Sequence, residues 1–372
     1  MLLVALIISL VGANSSYAKQ YHAFWEQTSV GFDFGALVWR TTLLHFINDG
    51  LMTVFFFLVG LEIKRELLNG ELASVRKALF PVGAALGGML MPAVFYALLQ
   101  PDAATLRGWA VPTATDIAFA LGILSFFGSR VPVALTVFLT ALAIVDDIGA
   151  VLLIGVFYSA PPVWSALGVG LGILLFMFMI NRLGVQSLLA YLAAAAALWG
   201  AFMVSGVHPT LAGVLAAFAV PAAGRFDCPA AVSPLQRLEH QLHPLVSYVI
   251  LPIFALANGG VTVENDLTTV LLQPLSLGVI AGLCLGKPLG IVGACWLMEK
   301  CGLALRPGNL SWRYLWAGGC FAGIGFTMSI FIANLAFSEP LLLEEAKLAV
   351  LAASVLSTFF GALLLDRRAS VR

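Results

Sequence analysis

Two adjacent aspartates, Asp146 and Asp147, lie inside an apolar run over residues 132–158 that contains no basic residue. The run is long enough to cross a bilayer, which takes about 20 apolar residues. One carboxylate near the middle of such a helix costs roughly 2.5–3.5 kcal/mol on insertion scales, so a pair is an expensive feature. Two explanations are open: a structural pair held by hydroxyls or a buried cation, or an ion or proton site facing a water-filled cavity. The depth of the pair favours the second explanation.

The composition indicates the class of protein. Hydrophobic residues make up 61% and charged residues 10% of the 372 residues, with a formal net charge of +0. The mean hydropathy is +1.00. A water-soluble domain could not solvate such a surface, so the sequence predicts a polytopic membrane protein. No charged tail indicates nucleic-acid binding, and the five cysteines, Cys228 among them, form no C-x-x-C motif that would indicate a disulfide framework or metal centre. We expect no cofactor.

The apolar runs predict an all-α fold of about twelve transmembrane helices in one domain, residues 1–372. The opening run, residues 1–12, has no preceding Lys or Arg, and we expect it to be the remainder of a first helix that begins outside this sequence. Residues 14–40 are predicted to form an external loop. The other predicted helices cover residues 43–64, 79–99, 109–127, 132–158, 163–181, 187–205, 207–221, 245–259, 274–298, 315–337 and 343–365.

The charges of the loops predict an orientation in the membrane. With an even number of helices, most of the 19 Lys and Arg residues fall on one side, including Arg225 and the C-terminal Arg367, Arg368 and Arg372. By the positive-inside rule, this side and both termini are cytoplasmic. Lys287 is left inside a predicted helix.

Two of the apolar runs are interrupted where a helix should be smooth. The fourth contains Pro112, which removes a backbone donor, and Thr115 and Asp116, whose side chains can bond to freed peptide groups. The eleventh contains Gly323 and Gly325, which permit an unwound backbone. Broken helices persist at membrane depth only when they are buried or line a cavity.

The two interruptions fall in corresponding places of two predicted repeats, residues 79–158 and 274–366. The interrupted helices are the fourth and the eleventh, which are seven helices apart. Because seven is an odd number, the two repeats would have opposite orientations in the membrane. This is the inverted-repeat pattern of secondary transporters, which bind their substrate near the bilayer midplane.

The sequence resembles the NhaA-type sodium/proton antiporters in eight segments that follow the family order across nearly the whole chain. The segments are INDGLM (47–52), VGLEIKREL (59–67), ATDIAFALG (114–122), AIVDDIGA (143–150), SGVHPTLAG (205–213), LEHQLHP (238–244), GKPLG (286–290) and GIGFTMS (323–329). The resemblance implies electrogenic, pH-regulated exchange of sodium or lithium ions for protons across the cell inner membrane, and no enzymatic activity. It implies that the fourth and eleventh helices are discontinuous and cross each other. Formation of a homodimer is left open.

The resemblance also implies roles for the buried ionisable residues. Asp147 would be the main sodium ligand and proton carrier, with Asp146 beside it. Neighbours on a helix point about 100° apart, so one carboxylate can face the cavity while the other contacts another helix, where Lys287 is the natural partner. The alternative for Lys287 is a side chain that reaches to the membrane surface. Asp116 and Lys287 would offset the charges of the broken helix ends, and Thr115 would supply an oxygen to the cation. Direct ligation by Asp116 is the alternative.

A second cluster of titratable residues lies toward the predicted cytoplasmic side. The candidates for pH sensing are Glu62, Glu66, Glu239, His240 and His243. The resemblance implies a pH-sensing region, which suits groups that titrate near neutrality, and the alternative is an ordinary solvated loop. His208 either belongs to this sensor or fills a helix end. His240 and His243 have the spacing of metal ligands, but no third ligand is evident in the sequence.

Other classes of membrane protein would show different signs. A sodium-coupled organic solute symporter could share the crossed-helix fold and would show solute uptake without proton movement. An intramembrane aspartyl protease needs its two aspartates on different helices. A channel would conduct far faster than a carrier, and a structural scaffold has no use for buried acids.

Overall fold

The computed structural model of the protein describes residues 1–33, 38–70, 72–222, 233–262, 267–304, 306–307 and 310–366. The predictions for Cys228, Arg225, Arg367, Arg368 and Arg372 lie outside these residues. The chain divides into two compact units. Unit 1 comprises Met1–Gly70 and Leu153–Gly260, and unit 2 comprises Glu71–Leu152 and Val261–Arg372.

Besides one three-residue 3-10 helix (Gly128–Arg130), the described residues form sixteen helices of five or more residues and two strands. In chain order these are α1 (Leu2–Ala13), α2 (Ala18–Gln27), β1 (Ser29–Asp33), β2 (Val38–Thr42), α3 (Leu43–Asn69), α4 (Val75–Leu99), α5 (Ala103–Thr113), α6 (Ile117–Ser125), α7 (Val133–Phe157), α8 (Trp164–Arg182), α9 (Leu188–Ser205), α10 (Thr210–Ala219), α11 (Pro234–Asn258), α12 (Leu267–Leu271), α13 (Pro274–Lys300), α14 (Trp312–Ala322), α15 (Phe326–Ala336) and α16 (Pro340–Asp366). One-turn π-helices lie within α3 (Ile47–Leu51), α11 (Val246–Ile250) and α13 (Gly282–Gly286), and α5 is a 3-10 helix from Arg107 to Thr113.

The helices confirm a polytopic helical membrane protein. Within the described residues, eight helices are long and apolar enough to cross a membrane: α3, α4, α7, α8, α9, α11, α13 and α16. Three further pairs meet the same test together but bend at a short break, by 113° for α1 and α2, 45° for α5 and α6, and 46° for α14 and α15. The two predicted interruptions are therefore present. The short helix α10 is also apolar.

The segment before α3 differs from the predicted external loop, because it contains α2 and an antiparallel hairpin in which Ser29 pairs with Thr42. Contacts within unit 1 explain why the chain is ordered here. The hydroxyls of Tyr21 and Ser9 both lie within hydrogen-bond distance of the carbonyl oxygen of Leu256, and the two hydroxyl oxygens are 2.9 Å apart. This shared acceptor holds α2 against α1 and α11. Although its composition is polar, the segment before α3 therefore contains regular secondary structure.

Helix α11 begins well before the predicted boundary at residue 245. Ser233 caps it: the Ser233 hydroxyl accepts from the Gln236 N–H at 3.2 Å, and the Gln236 side chain accepts from the Ser233 N–H at 3.2 Å. Pro234 occupies the first turn, where a missing N–H costs nothing. Because of this capping box, Glu239, His240 and His243 lie on a helix and not in the predicted loop.

Close packing of α4 against α13 positions Lys287 in unit 2. A Cβ atom on Gly286 would lie 2.8 Å from Cα of Pro92, and one on Gly290 would lie 2.9 Å from Cβ of Met91. Small residues at a helix interface allow backbones to approach this closely. Lys287 lies between these two glycines in the sequence and is completely buried.

Candidate ion site at the two helix interruptions

The aspartate pair lies on α7, and both side chains are buried, with 1% of Asp146 and 5% of Asp147 exposed. Helix α7 places Asp146 where its Oδ2 atom has two partners. The Thr115 hydroxyl donates to this oxygen at 2.6 Å, and the Lys287 ammonium lies 2.9 Å from it. The predicted contact between Lys287 and Asp146 is therefore present.

The other carboxylate oxygen of Asp146, Oδ1, is buried and has no hydrogen-bond partner among the residues that the structure describes. A buried acceptor without a partner costs about 1–3 kcal/mol, and more when it is charged. Such an atom indicates a place for a proton, a water molecule or a cation. An oxygen ligand of this kind suits a hard cation such as sodium.

Lys287 has a second contact that fixes its side chain. Its ammonium donates to the carbonyl oxygen of Thr113 at 2.5 Å, in addition to the contact with Asp146. Thr113 is the last residue of α5, so the ammonium lies at the negative end of that helix. The alternative interpretation, in which Lys287 reaches to the membrane surface, is not observed.

Asp116 lies at the start of α6 and binds the amino-terminal ends of two helices. Its Oδ1 atom accepts from the Phe119 N–H at 2.9 Å, in the first turn of α6. Its Oδ2 atom accepts from the Thr327 N–H at 3.0 Å, in the first turn of α15, and also from the Thr327 hydroxyl. Both oxygens therefore have protein donors. This arrangement favours offset of helix charge over direct ligation for Asp116.

The two interruptions also contact each other through their backbones. The Asp116 N–H donates to the carbonyl oxygen of Ile324 at 2.7 Å. The Thr115 hydroxyl lies 3.0 Å from the carbonyl oxygen of Ala322, the last residue of α14. Because the single Thr115 hydroxyl proton is donated to Asp146, of these two contacts only the bond between Asp116 and Ile324 satisfies peptide groups that lose their helical partners at the breaks.

The glycines of the second interruption are needed for space. Gly323 has φ −68° and Gly325 has φ −90°, which other residues also adopt. A Cβ atom on Gly323 would clash with the carbonyl oxygen of Leu283 and would lie 2.8 Å from the Ser357 hydroxyl. The sequence predicted that Gly323 and Gly325 permit an unwound backbone. In the structure their φ values are ordinary, and the absence of a side chain matters because it leaves space for neighbouring atoms.

Three polar residues at this site received no role from the sequence: Thr327, Ser329 and Ser354. The Ser329 hydroxyl donates to the carbonyl oxygen of Val111 at 2.8 Å, a group freed by the end of α5. Thr327 and Ser329 follow directly after the predicted break at Gly325, and this was the available signal. Ser354 lies on α16, where nothing in the local pattern distinguishes it.

The second predicted cluster lies in unit 1 and is joined by Arg65 of α3. One terminal nitrogen of Arg65 donates to Oε1 of Glu239 on α11, and the other donates to Oε1 of Glu66 at 3.0 Å. Glu62 lies one turn before Glu66 on α3. The structure therefore brings Glu66 and Glu239 together through a shared cation.

The histidines differ in their surroundings. His240 and His243 are exposed on α11. His208 lies between α9 and α10, outside the helices long enough to cross a membrane, and its Nδ1 atom lies 2.7 Å from the Thr210 hydroxyl. Its Nε2 atom lies 3.9 Å from a carboxylate oxygen of Asp49. These contacts favour the interpretation that His208 fills a helix end.

Known proteins resemble this chain over nearly its whole length. The sequence profile of the Na+/H+ antiporter 1 family matches residues 1–365. The chain belongs to this family. The Na(+)/H(+) antiporter NhaA of Oleidesulfovibrio alaskensis is 46% identical over 98% of this chain and 90% of the relative. The NhaA proteins of Citrobacter koseri (47% identical, 97% and 92% covered) and Salmonella arizonae (48% identical, 96% and 91% covered) are similar to the same extent. Family membership thus extends over both units and includes all the site residues described above.

Proposed function

We infer that this protein is a secondary transporter that exchanges sodium ions for protons across a membrane. Family membership over residues 1–365 carries this conclusion, because the similar proteins are named as sodium/proton antiporters. The sodium-coupled organic solute symporter considered from the sequence has no support from them. The protein is a transporter and not an enzyme.

We propose that protons and sodium compete for the carboxylates of Asp147 and Asp146. Release of a carboxyl proton leaves a carboxylate oxygen that can bind sodium, and proton return displaces the ion, so each species drives the other out. Burial of both side chains, together with the unpartnered Oδ1 atom of Asp146, supports this proposal. Two interacting carboxyls are expected to titrate as a coupled pair. In this scheme Thr115 supplies an oxygen near the ion.

The proposal gives Asp116 and Lys287 the role of charge compensation at the helix interruptions. Asp116 offsets the positive ends of α6 and α15, and Lys287 offsets the negative end of α5. The hydrogen bonds of each residue support these roles. Sodium at Asp146 would compete with the Lys287 ammonium for the same carboxylate. The two aspartates, and Lys287 as well if it loses a proton during the cycle, exchange protons for one sodium ion. More protons than sodium ions then cross per turnover, so we propose electrogenic exchange.

We propose that the fold has about twelve transmembrane helices in one transporter domain, with inverted repeats at residues 79–158 and 274–366. In this arrangement α5–α6 and α14–α15 are the crossed discontinuous helices of the two repeats. Support comes from the order of elements in unit 2, where each interrupted pair lies between two long apolar helices. The short apolar helix α10 would be one of the twelve.

We further propose that the protein lies in the lipid bilayer of the cell inner membrane with both termini in the cytoplasm and exchanges sodium or lithium ions for protons; formation of a homodimer is left open. The distribution of Lys and Arg residues supports the orientation.

The proposed pH-sensing residues are Glu62, Glu66, Glu239, His240 and His243. The bonds from Arg65 to Glu66 and Glu239 support this proposal, since a proton on either carboxylate would weaken them.

Transport by the purified protein in liposomes tests the exchange activity. An outward sodium gradient should drive proton entry, and a collapsed sodium gradient should abolish it. The measurement should be repeated over a range of external pH values. Proton movement that does not depend on sodium or lithium would contradict the proposed function.

A further inference from the structure

Helix α16 lies against the second interruption with a face of small residues. The buried small residues of this face are Ala346, Ala349, Ala353, Ser354 and Ser357, and Val350 is buried among them. Residues three and four apart lie on the same face of a helix, and small side chains allow the backbones of neighbouring helices to approach closely. Two hydroxyls of α16 are therefore buried beside the break between α14 and α15.

One of these hydroxyls caps the helix that follows the break. The first N–H groups of a helix have no acceptor within it. Phe326 is the first residue of α15, only 1% of it is exposed, and Gly325 before it has no side chain that could act as a cap. The Ser354 hydroxyl accepts from the Phe326 N–H at 3.3 Å and donates to the carbonyl oxygen of Val350 at 2.8 Å. A residue of a different helix thus provides the missing cap.

The next residue of α15 connects this cap to the ion site. The Thr327 N–H donates to Asp116, at the start of α6, at 3.0 Å. The N–H groups of Phe326 and Thr327 are therefore bonded to two different helices, the first to α16 and the second to α6. Thr115, which precedes Asp116, donates to Asp146 at 2.6 Å. A short series of bonded groups therefore leads from Ser354 to the aspartate that pairs with Lys287.

We propose that Ser354 is a positioning residue for ion binding. It does not touch the ion; it fixes the first turn of α15, so that Thr327 holds Asp116 and Thr115 holds Asp146 in the geometry that binds sodium. Without the hydroxyl, the Phe326 N–H is buried with no acceptor, and the first turn of α15 must shift or accept water. Displacement of supporting residues by a fraction of an ångström is enough to weaken a binding site. The proposal rests on Asp146 and Asp147 being the ion site.

The test uses the full-length protein in liposomes and measures the sodium concentration that gives half-maximal exchange, together with the maximal rate. Ser354→Ala should raise the half-maximal sodium concentration about tenfold, as expected when one hydrogen bond to a buried donor is lost. Ser354→Thr keeps the hydroxyl and should restore most of the affinity. Ser357→Ala is the matched control, because Ser357 is a buried serine on the same helix whose hydroxyl contacts the Cys284 thiol at 3.5 Å. This control should resemble the wild type.

The possible results separate the proposal from its alternatives. A half-maximal concentration in Ser354→Ala equal to that of the wild type would overturn it, and so would an equal shift in Ser357→Ala, which would indicate general loosening of α16. If Ser354→Ala does not fold, Ser354→Cys takes its place, because the cysteine side chain fills a similar volume and its sulfur is a weak hydrogen-bond acceptor. This variant should also raise the half-maximal sodium concentration, by a smaller factor. An unchanged half-maximal concentration would overturn the proposal. Absence of exchange in the wild type would instead contradict the proposed function.

Discussion

At the scale of single residues, the site is governed by the pairing of buried charges. Removing one partner of a buried ion pair typically costs about 3–5 kcal/mol, because the remaining charge is uncompensated. The contact of Lys287 with Asp146 could therefore be predicted from the sequence, since each residue needed an opposite charge at the same depth. The contact of Lys287 with the carbonyl oxygen of Thr113 could not, because it depends on where the backbone of α5 ends.

The role of Lys287 in the cycle can be tested by Lys287→Arg. Arginine keeps the positive charge but does not release its proton in proteins. If Lys287 only compensates charge, exchange and the charge moved per sodium ion should be preserved. If Lys287 carries a proton, the charge moved per cycle should fall or vanish. Currents on a solid-supported membrane distinguish the two roles, and a wild-type protein without any current would contradict electrogenic exchange.

At the scale of elements, the two interruptions could be predicted, whereas the contacts between them could not. Pro112 and the glycines around Gly323 are local signals for an irregular helix. The partners of the freed peptide groups come from helices distant in the sequence, as Asp116 does for Thr327 and Ser354 does for Phe326. Single-sequence patterns carry no information about such pairs. The early start of α11 was missed because charged residues near Glu239 outweighed the capping signal at Ser233.

Gly323→Ala tests whether the second interruption is packed as closely as the structure indicates. The added Cβ atom would clash with the carbonyl oxygen of Leu283 and approach the Ser357 hydroxyl. Overpacking of this kind costs about 1–3 kcal/mol, so we expect a lower melting temperature and slower exchange. Gly122→Ala is the control, because a Cβ atom at this position in α6 would have nothing within 4 Å. Equal stability of the two variants would contradict the packing described here.

At the scale of the whole molecule, the proposed pH sensor lies in unit 1 and the ion site lies in unit 2. The proposal therefore separates regulation from ion binding, and variants of the sensor should change the pH dependence of exchange without changing its maximal rate. The boundaries of the units could not be read from the sequence, because both units are built from segments that are far apart along the chain.

Glu239→Gln tests this separation. Removal of a negative charge makes it easier for neighbouring groups to lose protons, so the pH profile of exchange should move toward lower pH by about one unit. His243→Ala should also move the profile while largely preserving the maximal rate. A fall in rate without any shift would identify these residues as structural.

His208→Gln provides the contrasting variant. His208 contacts the Thr210 hydroxyl at the start of α10, so we expect it to fill a helix end, and a neutral polar side chain should leave the profile in place. A shift of the exchange profile in His208→Gln would contradict this interpretation.

The most direct test of the central claim is the release of protons when sodium binds to the purified protein in a weakly buffered detergent solution. If sodium and protons compete for the carboxylates of Asp146 and Asp147, addition of sodium should acidify the solution. The sodium concentration required should rise as the pH falls, by up to about tenfold per pH unit for each proton displaced. Asp147→Asn should remain folded and release no protons. Sodium binding by the wild type without proton release, or undiminished release from Asp147→Asn, would contradict the account.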